Sequence, residues 1–327
     1  MAEEILTQTP VAPKVKEKKA ASKKRSKLIA DIITYVILIL GSFIMLYPFW
    51  WMIAASFDGS MLHIQSGLVW WPTDTIASNL AVCNNDLFYT YKILMDGEIG
   101  LCVKITGGAT IWRIIANTLI YSIVPVVVGV LTSASAAFAF AKIEWVGRDV
   151  VFMVLLAAIM IPGPSIMVIQ YCMYSSFGWL SNDTGWMVMV IPGLFGSIMT
   201  AFFIRQFLYG MPTSIIEAAK IDGAGYWRIF WGFIVPLAMP AIMAQGLLSF
   251  MGCWNNYMGC WIMLGSFKMA WNLPVLVSAI SDNIGGDLQK YGALFAGSVM
   301  SILPVLILFG IFQKQIIGSL MLTGSKE

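Results

Sequence analysis

Three features of this 327-residue sequence predict an all-α polytopic membrane protein of about six transmembrane helices. Apolar residues make up 59% of it and charged residues only 11%, whereas about a quarter of a soluble domain is charged, so lipid rather than water must cover much of the surface. Six apolar runs reach the ~20 residues that a helix needs to cross ~30 Å of hydrocarbon. The basic residues collect in alternate connections between those runs, as the two sides of a membrane require.

The chain opens on residues 1–28, a tail with eight Lys and Arg between Lys14 and Lys27 and almost no large apolar side chain. Such a segment buries too little to fold and reads as disordered. Beside a membrane it is an orientation signal and a contact for anionic lipid rather than for nucleic acid. The first apolar run, 29–55, is too long for the core of a signal peptide and lacks a small-residue exit, so it reads as a retained span. An extracytoplasmic loop over 56–110 follows, rich in Trp, Asp, Asn and Gly. Five further spans, at 111–141, 150–173, 186–209, 233–264 and 292–317, form a core within 111–320, with a second outer loop at 265–291 and a C-terminal tail at 321–327. Pro125, Pro162, Gly163, Pro164, Pro192, Pro240 and Pro304 interrupt the spans and read as packing kinks or, alternatively, gating hinges.

The tail, the loop with Lys142 and Arg148, the segment with Arg205, Lys220 and Arg228, and the end with Lys314 and Lys326 hold 15 of the 20 basic residues. Lys92, Lys104, Arg113, Lys268 and Lys290 fall on the other side. The positive-inside rule then puts both termini in the cytoplasm, in agreement with an even number of spans. Trp70, Trp71, Trp112, Trp179, Trp186 and Trp261 fall near span ends, where indoles anchor at the interface. The five cysteines form no CxxC pair and His63 is the sole histidine, which argues against a metal site. Cys83 and Cys102 share the first outer loop; a disulfide between them is chemically permitted in an oxidising compartment, and two free thiols fit equally.

Between spans four and five lies a stretch too polar to cross a membrane yet strongly patterned. Ile215, Ile216, Ala219 and Ile221 recur at near-helical spacing while Glu217, Lys220 and Asp222 point elsewhere, so the first half of the stretch from Met211 reads as a short amphipathic helix at the cytoplasmic surface. Gly223 and Gly225 then mark a turn, and a second helix begins near Tyr226 and runs into span five. Ser214 to Glu217 also has the Ser-x-x-Glu form of a capping box, which would give Glu217 a purely local role, and Gly223 could be an ordinary helix stop.

Glu217, Ala218 and Ala219, then Gly223 after three residues and Pro236 after a further stretch, match the EAA loop of ABC importer permeases, with Phe233 and Val235 where that family favours Ile and Leu. The fuller string EAAKIDGA, followed by RIF and VPL, resembles the carbohydrate-importer branch of the maltose-transporter permease type. The likeness extends from Asn117 to the C-terminus through AFAFAKIEWVGRD, MIPGPSIMVIQ, FFIRQFLYGMP, the Trp254-Asn255 pair and LPVLILFGIFQKQIIGSL. Asn256 departs from it, standing where relatives often carry an acidic residue.

The resemblance implies a type I ABC importer permease in a bacterial cell membrane. It would pair with a second permease subunit, two ATP-binding-cassette ATPases and an extracytoplasmic solute-binding protein, and carry a sugar or oligosaccharide inward. The loop 211–232 becomes a coupling loop whose helix seats in an ATPase groove, with Glu217 facing a basic partner residue, Ala218 and Ala219 allowing close approach, Asp222 beside them and Gly223 setting the angle to span five. The loop 265–291 stands where such permeases reach into their binding protein, and 313–326 resembles the tail that extends toward the ATPases.

The residues themselves agree with a non-catalytic subunit. No Gly-x-x-x-x-Gly-Lys-Ser/Thr sequence is present to cradle phosphate, so this chain is expected to bind no cofactor, with ATP and Mg held by the ATPases. No Gly-x-Ser-x-Gly elbow is present. The spans hold almost no ionisable residue in their interiors, which weighs against an ion-coupled secondary transporter. Trp254, Asn255, Asn256 and Tyr257 supply the aromatic and amide groups that suit a sugar and are candidate path-lining residues, with simple packing as the alternative and an importer for another solute class as the competing function.

Overall fold

A computed structural model describes residues 14–57, 89–95, 101–284 and 289–324. His63, Trp70, Trp71 and Cys83 lie outside the described residues, as do 1–13 of the tail and the loop glycines 285 and 286. The chain divides into two units, Met1–Met52 and Ile53–Glu327. The first is the bulk of one continuous helix, α1 (Lys14–Ser56), whose stretch Lys27–Ser56 is long and apolar enough to span a membrane. The tail expected to be disordered is thus helical from Lys14 onward. Lys and Ala are good helix formers, and adding residues to an existing helix avoids the cost of nucleation.

The second unit begins with two short helices in the first outer loop, α2 (Tyr89–Met95) and α3 (Leu101–Thr106). Ser56 accepts from Thr90 and bonds the Tyr91 hydroxyl, which ties this loop to the end of the first span. Then α4 (Ile111–Lys142) runs for 32 residues, ~48 Å at 1.5 Å per residue. It packs against every other major span of this unit except the last: α5 (Arg148–Ile159), α7 (Gly185–Leu194), α8 (Ile198–Tyr209) and α11 (Val235–Trp254). The last span, α14 (Gln289–Gly324), packs instead on α11.

Three of the expected spans are broken. Residues 150–173 form α5 and α6 (Gly163–Ser176), bent by 93° across Met160, Ile161 and Pro162. At 12 and 14 residues neither half alone crosses ~30 Å. Span four is interrupted between α7 and α8, where Gly196 has φ +83°. Side chains of α4 receive the freed backbone groups: Thr132 donates to the Leu194 carbonyl at 3.0 Å, and the Ser133 hydroxyl accepts from the Ser197 amide at 2.9 Å. A Cβ on Gly193 would overlap Pro125, and one on Gly129 would overlap the Gly193 carbonyl, so small residues allow this helix pair its close approach. Span five ends at Trp254 rather than at Leu264: Asn255 and Asn256 break it, and α12 (Tyr257–Leu264) starts afresh with the Asn256 side chain accepting from the Gly259 amide.

Residues 265–284, expected in a solvated outer loop, also hold structure that such a loop would lack. A 3-10 turn (Lys268–Ala270) leads to α13 (Leu273–Asp282), capped by Asn272 and buried through Leu273, Val275, Leu276, Ala279 and Ile280. Among the described residues, five helical stretches are long and apolar enough to cross a membrane when α7 and α8 (Gly185–Tyr209), and α11 with the residues leading into it (Tyr226–Trp254), are each taken as one stretch, or six if the bent pair also counts as one. Buried apolar residues form two clusters, one around α13 and the Ile111 end of α4, the other around the Lys142 end of α4.

Candidate coupling segment and its family

At the Lys142 end of α4 the chain leaves α8 and enters the amphipathic helix α9 (Ser214–Ile221). Ile216 and Ala219, three residues apart on one face, are buried in a cluster with Ala134, Ala137 and Phe138 of α4 and Ile204 and Leu208 of α8. Glu217, Ala218, Lys220 and Asp222 are exposed. The two alanines of the triplet, about 100° apart around the helix, differ in surroundings: Ala219 is buried in the cluster that α9 shares with α4, α8 and the start of span five, and Ala218 is exposed. Ile221, expected on the buried face, is 86% exposed. It falls five residues beyond Ile216, about 500° around the helix and so ~140° from it.

The capping box does not form. Thr213 is the N-cap and makes no side-chain cap bond, and Ser214 is already helical. Glu217 lies in the first turn, where the helix dipole favours a carboxylate, and makes no ion pair among the described residues. At the other end the Gly223 amide donates to the Lys220 carbonyl at 3.0 Å and the Ala224 amide to the Ala219 carbonyl at 2.9 Å, with φ +78° at Gly223. This is a Schellman stop, completed by burial of Ala224 beside Ala219. Gly223 is thus the helix stop. Gly225, with φ −70°, needs no such freedom and starts the next helix.

That helix, α10 (Tyr226–Ile229), passes through one π turn, Phe230–Ile234, into α11. Pro236, whose missing amide would leave a gap in an α-helical ladder, follows directly after the π turn's end at Ile234 and Val235. Phe138 of α4 stands against both Tyr226 and Phe230, with ring centroids 6.4 and 5.9 Å apart. Lys220 lies 4.7 Å over the Tyr226 ring and bridges the Gly223 turn.

Two cations that sequence reasoning counted only as charges hold the segment from behind. Lys142 donates to the Met211 carbonyl at 2.6 Å, just ahead of α9. Arg205, buried on α8, donates to the Phe140 carbonyl and to Asp149, each at 3.3 Å, with its guanidinium 3.8 Å from the Phe152 ring and 4.5 Å from the Tyr209 ring. An arginine about one turn from the end of an otherwise apolar span was the available signal.

The family profile described as "Binding-protein-dependent transport system inner membrane component" matches residues 20–317. The chain belongs to that family. Among curated relatives, this permease is 27% identical to the diacetylchitobiose uptake system permease protein of Streptomyces coelicolor, over 88% of this chain and 86% of that one. It is 29% identical to the arabinooligosaccharides transport system permease protein of Halalkalibacterium halodurans, over 87% and 92% respectively. A chain of the bacterial ABC transporter involved in the import of the acidic polysaccharide alginate superposes with a TM-score of 0.69 over 89% of this chain and 97% of its own, at 24% identity, a likeness of fold.

The other candidate residues separate in the structure. Trp254 does not line a path: it is 1% exposed, stacked on Phe250, and its indole donates to the Ser301 carbonyl at 2.8 Å. Apolar neighbours on α11 and α14 outcompete any cavity for so large a ring. Asn255 and Asn256 are exposed, and Tyr257 is half-buried with its hydroxyl accepting from Ser278. Cys102 is a free, buried thiol donating to the Ala109 carbonyl, and burial pushes its pKa up to about 12. Its suggested partner Cys83 lies outside the described residues.

Proposed function

We propose that this permease forms one half of the membrane path of an ATP-driven sugar importer, with a companion permease forming the other half. An extracytoplasmic binding protein delivers the sugar, and two separate ATPases bind ATP and Mg. The observation that carries this reading is the build of the coupling segment. A short helix is anchored by Ile216 and Ala219 in the cluster formed by α4, α8 and the start of span five, is stopped by Gly223, and presents Glu217, Ala218, Ile221 and Asp222 outward. A rigid shoulder with an exposed, half-apolar face is what a neighbouring subunit needs in order to push on α4 and α11 together. Its placement in the cytoplasm, with both termini, is supported by Lys142, Arg148, Arg205, Lys220 and Arg228 at this end of the molecule. The saccharides named for its relatives support a sugar as cargo. Asn255, Asn256 and Tyr257 remain the path-lining residues in this proposal.

The test is co-purification of the assembled transporter and measurement of ATP hydrolysis with binding protein and a panel of saccharides. Stimulation by at least one saccharide is expected. Stimulation only by another solute class, or uptake driven by an ion gradient without the ATPases, overturns the proposal.

A further inference from the structure

At the Ile111 end of the molecule, ~48 Å along α4 from the coupling segment, a cavity of about 600 Å³ opens between α3, α12 and α13. Its size falls within the ~300–1,000 Å³ range of small-ligand sites. None of the features described so far makes use of it. Trp261 of α12 lines it with an exposed ring, supported on its other side by Tyr257, which is stacked within 12° of parallel at 6.3 Å. Trp271 closes the wall and is immobilised: its indole donates to the Leu264 and Gly265 carbonyls, both at 3.1 Å.

The charged groups lining the cavity are Lys104, Lys268 and Asp282, two ammonium groups against one carboxylate. Lys268 spends one donor on the Ile105 carbonyl at 2.9 Å, which fixes its position at the rim and leaves two donors. Among the described residues neither lysine is ion-paired. A flat exposed indole offers a platform for the apolar face of a pyranose ring, and the ammonium groups offer charge-assisted hydrogen bonds to an anion on that ring. Asp282 adds an acceptor for ring hydroxyls, and the exposed Trp261 ring offers a stacking face that a pyranose uses and a phosphate headgroup does not, so a uronate-type sugar fits this set better than a lipid headgroup.

We propose that this cavity is a binding site for one ring of an acidic saccharide, ahead of the membrane path, an inference that rests on the sugar-importer reading above. The site selects a carboxylate-bearing ring by Lys104 and Lys268 and holds it by Trp261.

The full chain in phosphatidylcholine nanodiscs, titrated calorimetrically with trigalacturonate and with maltotriose, provides the test. Trigalacturonate is expected to bind the tighter of the two, with the preference shrinking as salt rises from about 0.05 to 0.5 M. Trp261→Ala is expected to weaken trigalacturonate about tenfold. Lys104→Gln, a side chain with no structural bond to lose, is expected to weaken it about two- to fivefold while leaving maltotriose unchanged. Trigalacturonate affinity unaltered in both variants overturns the proposal. So does absence of saccharide binding when an acidic peptide or added phosphatidylglycerol binds in the same assay. No ATP enters this assay: failure here with saccharide-stimulated hydrolysis intact rejects the cavity alone, whereas loss of that hydrolysis in the unmodified assembly rejects the function beneath it.

Discussion

The two ends of α4 are built differently. At the Ile111 end, α4 grips the segment 269–273 by polar bonds to its backbone: the Asn117 amide donates to the Met269 and Trp271 carbonyls at 2.9 and 3.0 Å, Tyr121 donates to the Ala270 carbonyl, and the Leu273 amide donates to Thr118. That segment is then covered by α13 and becomes core. At the Lys142 end, α4 joins α9 in one apolar cluster through Ala134, Ala137 and Phe138, and the outer face of α9 is left bare. One end is laced by polar bonds; the other is packed on one face and bare on the other. The difference implies that changes to the buried lacing, such as those at Asn117, act through stability, while on α9 stability and partner binding are separable.

The largest effect on stability is expected from Ile216→Ala. Removing three buried carbons where α9 meets α4 should cost ~2–4 kcal/mol, read as a lowered unfolding midpoint in detergent together with lost coupling. Asn117→Leu should follow at ~1–3 kcal/mol, because two carbonyls lose their donor, and it should leave association with the ATPase unchanged in the fraction that remains folded. Equal loss of ATPase association in both variants would break the contrast between the two ends. Gly223→Ala should cost ~1–2 kcal/mol through φ alone, since a Cβ there meets nothing within 4 Å. Its hydrolysis should become insensitive to substrate because the angle between α9 and α10 changes. A fully coupled Gly223→Ala transporter would show that the stop has no such role.

Much of this architecture was legible in the residues, and the misses share a cause. The π turn aside, the coupling segment was readable because its apolar period, its glycine and its flanking charges all point the same way. Ile221 was misplaced because a near-helical spacing was extended one residue past the buried stripe. The breaks at Phe195–Ser197 and Asn255–Asn256 fall inside apolar runs that hydropathy reads as continuous, and the tertiary partners Thr132, Ser133 and Asn272 explain how freed backbone there is satisfied, whereas the break at Met160–Pro162 stands at the flagged Pro162, Gly163 and Pro164. The burial of α13 had a signal in Leu273, Leu276 and Ile280 behind Asn272 and Pro274, at the spacing of a helix, but the run is too short to stand out beside membrane spans. Trp254 shows the limit of composition: an aromatic beside two amides suits a sugar, yet the ring found a carbonyl on a helix 47 residues away.

The most direct test of the open end is Ile221→Ser. At 86% exposure the change should move stability by no more than ~0.5 kcal/mol. Measured as the affinity of the cognate ATPase for the permease in nanodiscs, the substitution is expected to weaken binding about tenfold, as loss of an apolar anchor at an interface does. Unchanged affinity in a folded Ile221→Ser permease would contradict the assignment of this face to the ATPase.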